Sequence, residues 1–282
     1  MKNVFFFLLI VISTSIVNCQ SFLKSQSIDW TKYEETYDDE FRISEIAKIK
    51  DDLLFYLNES DMLEDNIDNF HFIDFNGNCN IDIIYSGDAG TDKKRTLIFE
   101  LSNDGSYRKT FDKFGRLIDI FSGTENLPPY SLILMEEPCC GGFSTVYEIY
   151  HPIISNGKVE LHVSIKYSSI LGTDIPAEFF SKPKMFEVIN NLYYLRLDPI
   201  LDNNTVYEDL HITGNIIAEY YKGSKGYAVA EREDNTNRIW WFVIMQNTNK
   251  TSKGIFDVGS NNENEAYYMG WMSSRYLIEI NK

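Results

Sequence analysis

Cysteine, histidine, proline and positive charge are all scarce in this chain of 282 residues. It has four Cys, four His, seven Pro, and 26 Lys and Arg against 42 Asp and Glu. The formal charge of −16 argues against a phosphate-binding surface, so no nucleic-acid partner is expected. So few cysteines exclude the dense disulfide framework of a small stapled domain. His71, His151, His162 and His211 are far apart and form no His-x-x-x-His pair for a metal-binding helix. There is no Gly-x-Ser-x-Gly elbow and no phosphate-cradling Gly-x-x-x-x-Gly-Lys-Ser/Thr loop. A βαβ rhythm is also missing, which removes the doubly wound nucleotide-binding folds. Acidic pairs such as Asp51-Asp52 are expected by chance among 42 acids. Two carboxylates held in a cleft at glycosidase spacing, about 5–9.5 Å, do not show in a sequence.

A hydrophobic content of 44% with 15% aromatics excludes global disorder, and 24% charged residues exclude a membrane-embedded body. The one long apolar run, Val4 to Val17 behind Lys2, is too short for a stable membrane span. It reads as a signal peptide over residues 1–19, with a buried N-terminal helix as the alternative. Ile16-Val17-Asn18-Cys19 resembles a bacterial lipobox, which implies lipidation at Cys19. Val17-x-Cys19 also suits ordinary signal peptidase, releasing a chain that starts at Gln20. The segment resembles exported proteins of the Bacteroidetes. The expected location is the cell envelope by a lipid anchor, or the periplasm or exterior, with membrane contact only through that anchor.

Two regions follow. In residues 20–172, an acidic stretch over 29–70 carries 14 acids and 4 bases, and Phe41, Ile46, Ile49, Leu53 and Leu57 recur at near-helical spacing. This predicts one amphipathic helix from about Asp39 to Asn58 with its acids in solvent. After Phe70 the texture changes to short β-branched and aromatic runs: Ile81–Tyr85, Thr96–Leu101, Leu117–Phe121, Ser131–Met135, Thr145–Tyr150 and Leu161–Tyr167. Asn103-Asp104-Gly105 and Lys113-Phe114-Gly115 are turn signals between strands. Gly172, Pro176 and Pro183 mark a seam, and residues 176–282 hold five more runs. These are Tyr193–Leu197, Gly214–Tyr221, Gly226–Arg232, Ile239–Met245 and Tyr267–Leu277, with a polar insertion over 247–264. The expected fold class is mainly β: a helix plus antiparallel β domain, then a small C-terminal barrel.

The segment Asp74-Phe75-Asn76-Gly77-Asn78-Cys79-Asn80-Ile81-Asp82 places oxygen-bearing side chains at alternate positions. A tight loop can turn such residues inward around a hard cation, which takes six to eight oxygens at about 2.3–2.6 Å. The loop resembles those of integrin-type FG-GAP and VCBS repeats. That resemblance implies calcium on Asp74, Asn76, Asn78 and Asp82 side chains and the Asn80 carbonyl. Asn78 stands where family loops carry Asp, and Cys79 where they carry Gly. With only two carboxylates any binding is weak. A metal-free Asx-turn and a loop held by a Cys79 disulfide are the two other readings.

Glu136-Glu137-Pro138-Cys139-Cys140-Gly141-Gly142 reads as a turn between strands. With Cys19 removed or lipidated, Cys79, Cys139 and Cys140 remain, enough for one internal bridge and one spare thiol. Neighbouring cysteines pair only through a strained ring, so Cys79 with Cys139 or Cys140 is the expected disulfide, with free buried thiols as the alternative. No zinc spacing accompanies them and no base is nominated to activate a thiol.

Gly270-Trp271-Met272-Ser273-Ser274-Arg275-Tyr276-Leu277 resembles the closing motif of bacterial SH3 domains. Ile239-Trp240-Trp241-Phe242-Val243, Gly223-Ser224-Lys225-Gly226-Tyr227 and Tyr194-Leu195-Arg196-Leu197-Asp198-Pro199 resemble its earlier strands, while the 247–264 insertion departs from it. The resemblance implies an SH3-like barrel whose shallow aromatic groove takes peptide, protein or peptidoglycan ligands. It places Tyr227, Trp240, Trp241, Tyr268 and Tyr276 near that groove and Trp271 in the core. The leading expectation is therefore a non-enzymatic exported binding or scaffolding protein. A hydrolase using carboxylates of the β region and a purely structural envelope lipoprotein are the rivals.

Overall fold

The structure is a computed structural model. It describes residues 28–34, 36–53, 67–89, 94–122, 127–138, 142–155, 158–249, 251–254 and 266–280. The signal segment with Cys19, the Cys139–Cys140 pair and most of the 247–264 insertion lie outside the described residues. The chain is mostly β-sheet with a short N-terminal helical region. No helix among the described residues is long and apolar enough to cross a membrane. Two compact units divide the chain, one of residues 25–139 and 147–164, the other including residues 142–146 and 165–280.

In the first unit, helix α1 (Asp39–Lys48) starts where the Asp38 carboxylate accepts the Phe41 N–H at 2.8 Å. Asp39 and Glu40 then place negative charge on the helix N-terminus, where the backbone dipole favours it. The expected single helix is broken at Ile49, which leaves helical geometry before α2 (Lys50–Leu53); its expected continuation to Asn58 lies outside the described residues. Four antiparallel strands follow in sequential order: β1 (Phe70–Ile73), β2 (Asp82–Asp88), β3 (Lys94–Leu101) and β4 (Tyr107–Phe114).

Alternation along β1, β2 and β3 sends side chains to two faces, and both are buried. Phe70, Phe72, Ile83, Tyr85, Leu97 and Phe99 pack with Ile46, Ile49 and Leu53 of the helical region. Ile73, Phe75, Ile84, Ile98 and Phe111 face the opposite way, onto the later strands β5 (Arg116–Phe121), β6 (Ser131–Glu136) and β7 (Ser144–Ser155). That is why Ile83-Ile84-Tyr85 is apolar without interruption, each residue fully buried. Burying each such side chain contributes about 1.5–3 kcal/mol.

The second unit contains the end of β8 (Lys158–Ile170), then β9 (Lys184–Val188), β10 (Leu192–Arg196) and the short pair β11 (Val206–Tyr207) and β12 (Ile212–Thr213). It continues through β13 (Ile216–Tyr221), β14 (Lys225–Glu233), β15 (Ile239–Met245), β16 (Thr251–Gly254), β17 (Tyr267–Ser273) and β18 (Leu277–Glu279). Strands run antiparallel in the order β18-β9-β14-β15-β17. β10 meets β17 only at Arg196 and Trp271, and pairs along its length with β13. Gly270 makes that crossing possible, since a Cβ there would lie 2.8 Å from the Arg196 carbonyl oxygen. Among the described residues no sheet closes into a barrel.

The expected last strand, Tyr267–Leu277, is two strands with a 3-10 turn over Ser274–Tyr276 between them. Ser273 caps that turn, its hydroxyl accepting the Arg275 N–H. Part of the polar insertion pairs with β13 as β16. The β1, β4 and β9 strands have no counterpart in the sequence-based expectation. In β4 only Phe111 is buried, so its polar alternation hides it.

Candidate functional site

The 74–82 loop closes on itself. Asp74 accepts the N–H groups of Gly77, Asn78 and Cys79 at 2.8–3.0 Å. Asn76 Oδ1 accepts from Asn78 N and Asn78 Oδ1 from Asn80 N. Asp82 is fully buried; Oδ2 accepts the Phe75 N–H and Oδ1 the Leu101 N–H, tying the loop to the end of β3. Burial, with the charges of Glu100 and Asp74, pushes its carboxyl up to about 7 against these two donors.

All five expected calcium residues are therefore in one loop, with Asp74 and Asp82 at its ends. Two carboxylates among five positions is a low charge for a divalent ion. Each bonded carboxylate or amide oxygen already serves a backbone N–H, as in the Asx-turn reading. Cys79 adopts φ +66, in the region that favours Gly, and is exposed with no disulfide among the described residues. Its two expected disulfide partners lie outside the described residues. Among the described residues no cluster of three or more His, Cys, Asp and Glu could hold a metal.

The five aromatic residues expected at a groove of the second unit do not share one face. Successive strand residues point oppositely, so adjacent Trp240 and Trp241 must separate. Trp240 is 1% exposed, and its Nε1 donates to Asp234 Oδ2 at 2.9 Å. It is a core residue with no ring surface to offer, since Trp271, Phe242 and Trp240 follow the same side of the β15–β17 ladder. Trp241 and Tyr268 pack on the opposite side, against the core of Phe186, Val243 and Met272. There Lys184 Nζ stands 4.1 Å from the Phe180 ring centre and 5.5 Å from that of Trp241. Tyr227 is half-buried opposite Ile244.

Tyr276 is the exposed member, 43% accessible on the 3-10 turn, and meets Tyr193 edge to face at 5.6 Å. Tyr193 was not among the expected residues. It is held by its hydroxyl donating to the Ser273 carbonyl at 2.8 Å. Arg238 acts electrostatically on the Tyr193 hydroxyl, favouring its ionised form, while burial pushes that group up overall. The Nε of Arg238 is buried and has no hydrogen-bond partner among the described residues. Asp234 positions this arginine. Its Oδ1 accepts the Thr236 hydroxyl at 2.6 Å and the backbone N–H groups of Thr236 and Arg238; the hydroxyl first, then the Trp240 N–H and these backbone donors, hold its carboxyl far below the ordinary carboxylate range. The aromatic pair lies within electrostatic reach of Arg238, whose guanidinium carbon is 5.8 Å from the Trp240 ring centre and whose Nε is enclosed.

The first unit also contains a cleft the sequence did not single out. Its volume is about 260 Å³, and Trp30, Tyr37 and Phe72 form its aromatic walls. Glu34 and Arg42 supply opposite charges, and exposed Thr31 and Thr36 complete the lining. Trp30 stacks on His71 with centroids 3.4 Å apart. Glu34 Oε1 bonds both His71 Nδ1 at 2.9 Å and the Phe72 N–H at 3.0 Å. Arg42 Nη2 donates to the carbonyls of Ile67 and Phe70, fastening α1 to the start of β1. Burial holds the His71 imidazole below its ordinary value despite Glu34. The only signal for this site was Trp30 and Tyr37 inside an acidic stretch, which reads equally well as solvated surface.

No family model, no curated protein and no solved structure matches the chain.

Proposed function

We propose that this chain is an exported, non-enzymatic binding protein of the cell envelope whose second unit is an SH3-like module for peptide or cell-wall peptide ligands. The antiparallel order β18-β9-β14-β15-β17, with a 3-10 turn ahead of the last strand, supports the module. The sequence Gly270–Leu277 that carries the resemblance spans the end of β17 and that turn. The observation that carries binding is the edge-to-face Tyr193–Tyr276 pair at the exposed 3-10 turn, with the Arg238 guanidinium within electrostatic reach of the Tyr193 hydroxyl. Rings give flat contact with peptide groups, and a guanidinium recognises a carboxylate of the kind that ends or branches a wall peptide. Cosedimentation of the mature protein with purified peptidoglycan tests this. Retention in the pellet supports the reading, and complete recovery in the supernatant opposes it.

Lipidation at Cys19 would place the module at a membrane surface, and release at Gln20 would leave it free; the mass of the mature N-terminus distinguishes them. Weak calcium binding belongs to the same reading. Asp74, Asn76, Asn78, Asn80 and Asp82 would hold the ion, which would offset the negative charge buried at Asp82.

A further inference from the structure

We propose that the cleft between the Trp30–Glu34 segment and α1 binds a small zwitterion, a free α-amino acid whose ammonium pairs with Glu34 and whose carboxylate pairs with Arg42. The inference concerns the first unit alone and is independent of ligand binding by the second.

Three observations carry it. The cleft of about 260 Å³ has room for one small molecule of this size, and its walls are the rings of Trp30, Tyr37 and Phe72. Two groups of opposite charge line it without meeting, since no ion pair joins Glu34 to Arg42 among the described residues. Both are held in place with capacity left over. Glu34 spends Oε1 on His71 and Phe72, and nothing among the described residues bonds Oε2. Arg42 spends Nη2 on two carbonyls, and its Nε and Nη1 have no bond among the described residues.

Charge decides the ligand class. A simple cation, drawn to the rings and to Glu34, would meet the Arg42 guanidinium, which already lies 5.8 Å from the Phe72 ring centre. A simple anion would meet Glu34. A neutral sugar could stack on the rings but would leave both charges without an ionic partner. A zwitterion satisfies both, each by a charge-assisted hydrogen bond, with its side chain against the aromatic walls. Fixed partners keep the two charged groups ordered in advance, so little side-chain freedom is lost on binding.

The test is a thermal-shift screen of the mature chain against each of the twenty common amino acids at millimolar concentration, followed by calorimetry of the strongest. The N-acetyl form of that amino acid, its amide and methyl β-glucoside are then titrated. Binding by the free amino acid, weakened at least about tenfold by either cap, is the expected result. Glu34→Gln and Arg42→Gln should each reproduce the loss, because the amide can still serve the backbone partners. Thr36→Trp, at an exposed position, should block the cleft with an unchanged melting temperature. The proposal is overturned if no amino acid shifts or titrates the protein. Equal affinity for the capped forms, binding of the glucoside alone, or binding that survives Thr36→Trp in a folded protein would each overturn it too.

Discussion

The guanidinium of Arg196 donates from Nη1 to Oδ1 of Asn215 at 2.6 Å, with both side chains buried. Around this pair the long connection from β10 to β13 is organised. Arg196 also donates to the Asp202 carbonyl and to Asn203 Oδ1, and Asn215 Nδ2 donates to the Asp198 and Ile200 carbonyls. Gly214, at φ +71, lies where any Cβ would be 2.6 Å from the Asp202 carbonyl oxygen. Asn215→Ala should therefore cost about 3 kcal/mol, since a buried charge loses a partner. A melting temperature unchanged from the parent would contradict this.

Asp82 predicts a pH dependence with a definite sign. Its carboxyl is pushed from 3.8 to about 7 in the fold, so the folded state favours the protonated form. Its contribution is fully present below about pH 4 and is lost as pH rises toward about 7. His71 and His151, both lowered by burial, act oppositely as pH falls through 6.5. The difference between the parent and Asp82→Asn isolates the aspartate. In chelator, melting temperature against pH should fall more steeply for the parent than for the variant between these limits. Parallel curves would remove the claim.

Trp240 and Trp271 should respond alike, and unlike Tyr276. Both indoles are essentially fully buried, and the Trp271 N–H donates to the Asp174 carbonyl at 2.6 Å. Either Trp→Ala change should cost about 3–5 kcal/mol, while Tyr276→Ala should cost no more than about 1 kcal/mol. Denaturant melts of the three variants check the contrast.

Calcium should raise the melting temperature of chelator-stripped protein. Ion at about tenfold its dissociation constant gives roughly 1–2 kcal/mol, with affinity of the weak extracellular class, about 10⁻⁴–10⁻³ M. Asp74→Asn should remove the shift. No shift, with no heat on titration, would leave the loop as an Asx-turn.

Much of the architecture was legible because apolar periodicity survives wherever one side of an element is buried. Asp39–Lys48 shows it, while Ser131–Glu136 and Ile239–Met245 were legible instead as the unbroken apolar runs of strands buried on both sides. Strands that show neither have particular reasons. Tyr107–Phe114 carries charge at Arg108, Lys109, Asp112 and Lys113 and buries only Phe111, and Phe70–Ile73 is a four-residue strand directly behind an acidic stretch. The 74–82 loop was legible as a loop because Asp and Asn at alternate positions bond their own backbone. The aromatic patch was only half legible. Trp-Trp adjacency promised ring surface, but strand alternation buries Trp240, and Tyr193 becomes a partner of Tyr276 only through a contact 83 residues apart in the chain. Arg238 gave no sequence signal at all, since its place near Tyr193 is set by the fold and by the Asp234 turn that holds its backbone N–H.

The central claim, that the Tyr193–Tyr276–Arg238 patch binds peptide, is tested most directly by calorimetric titration of soluble wall stem peptides into the mature protein. Tyr276→Ala and Arg238→Gln are titrated in parallel after their melting temperatures are matched to the parent. Saturable heat with the parent, weakened about tenfold or more in each variant, is the expected result. No heat with the parent, or equal binding in all three proteins, would contradict the account.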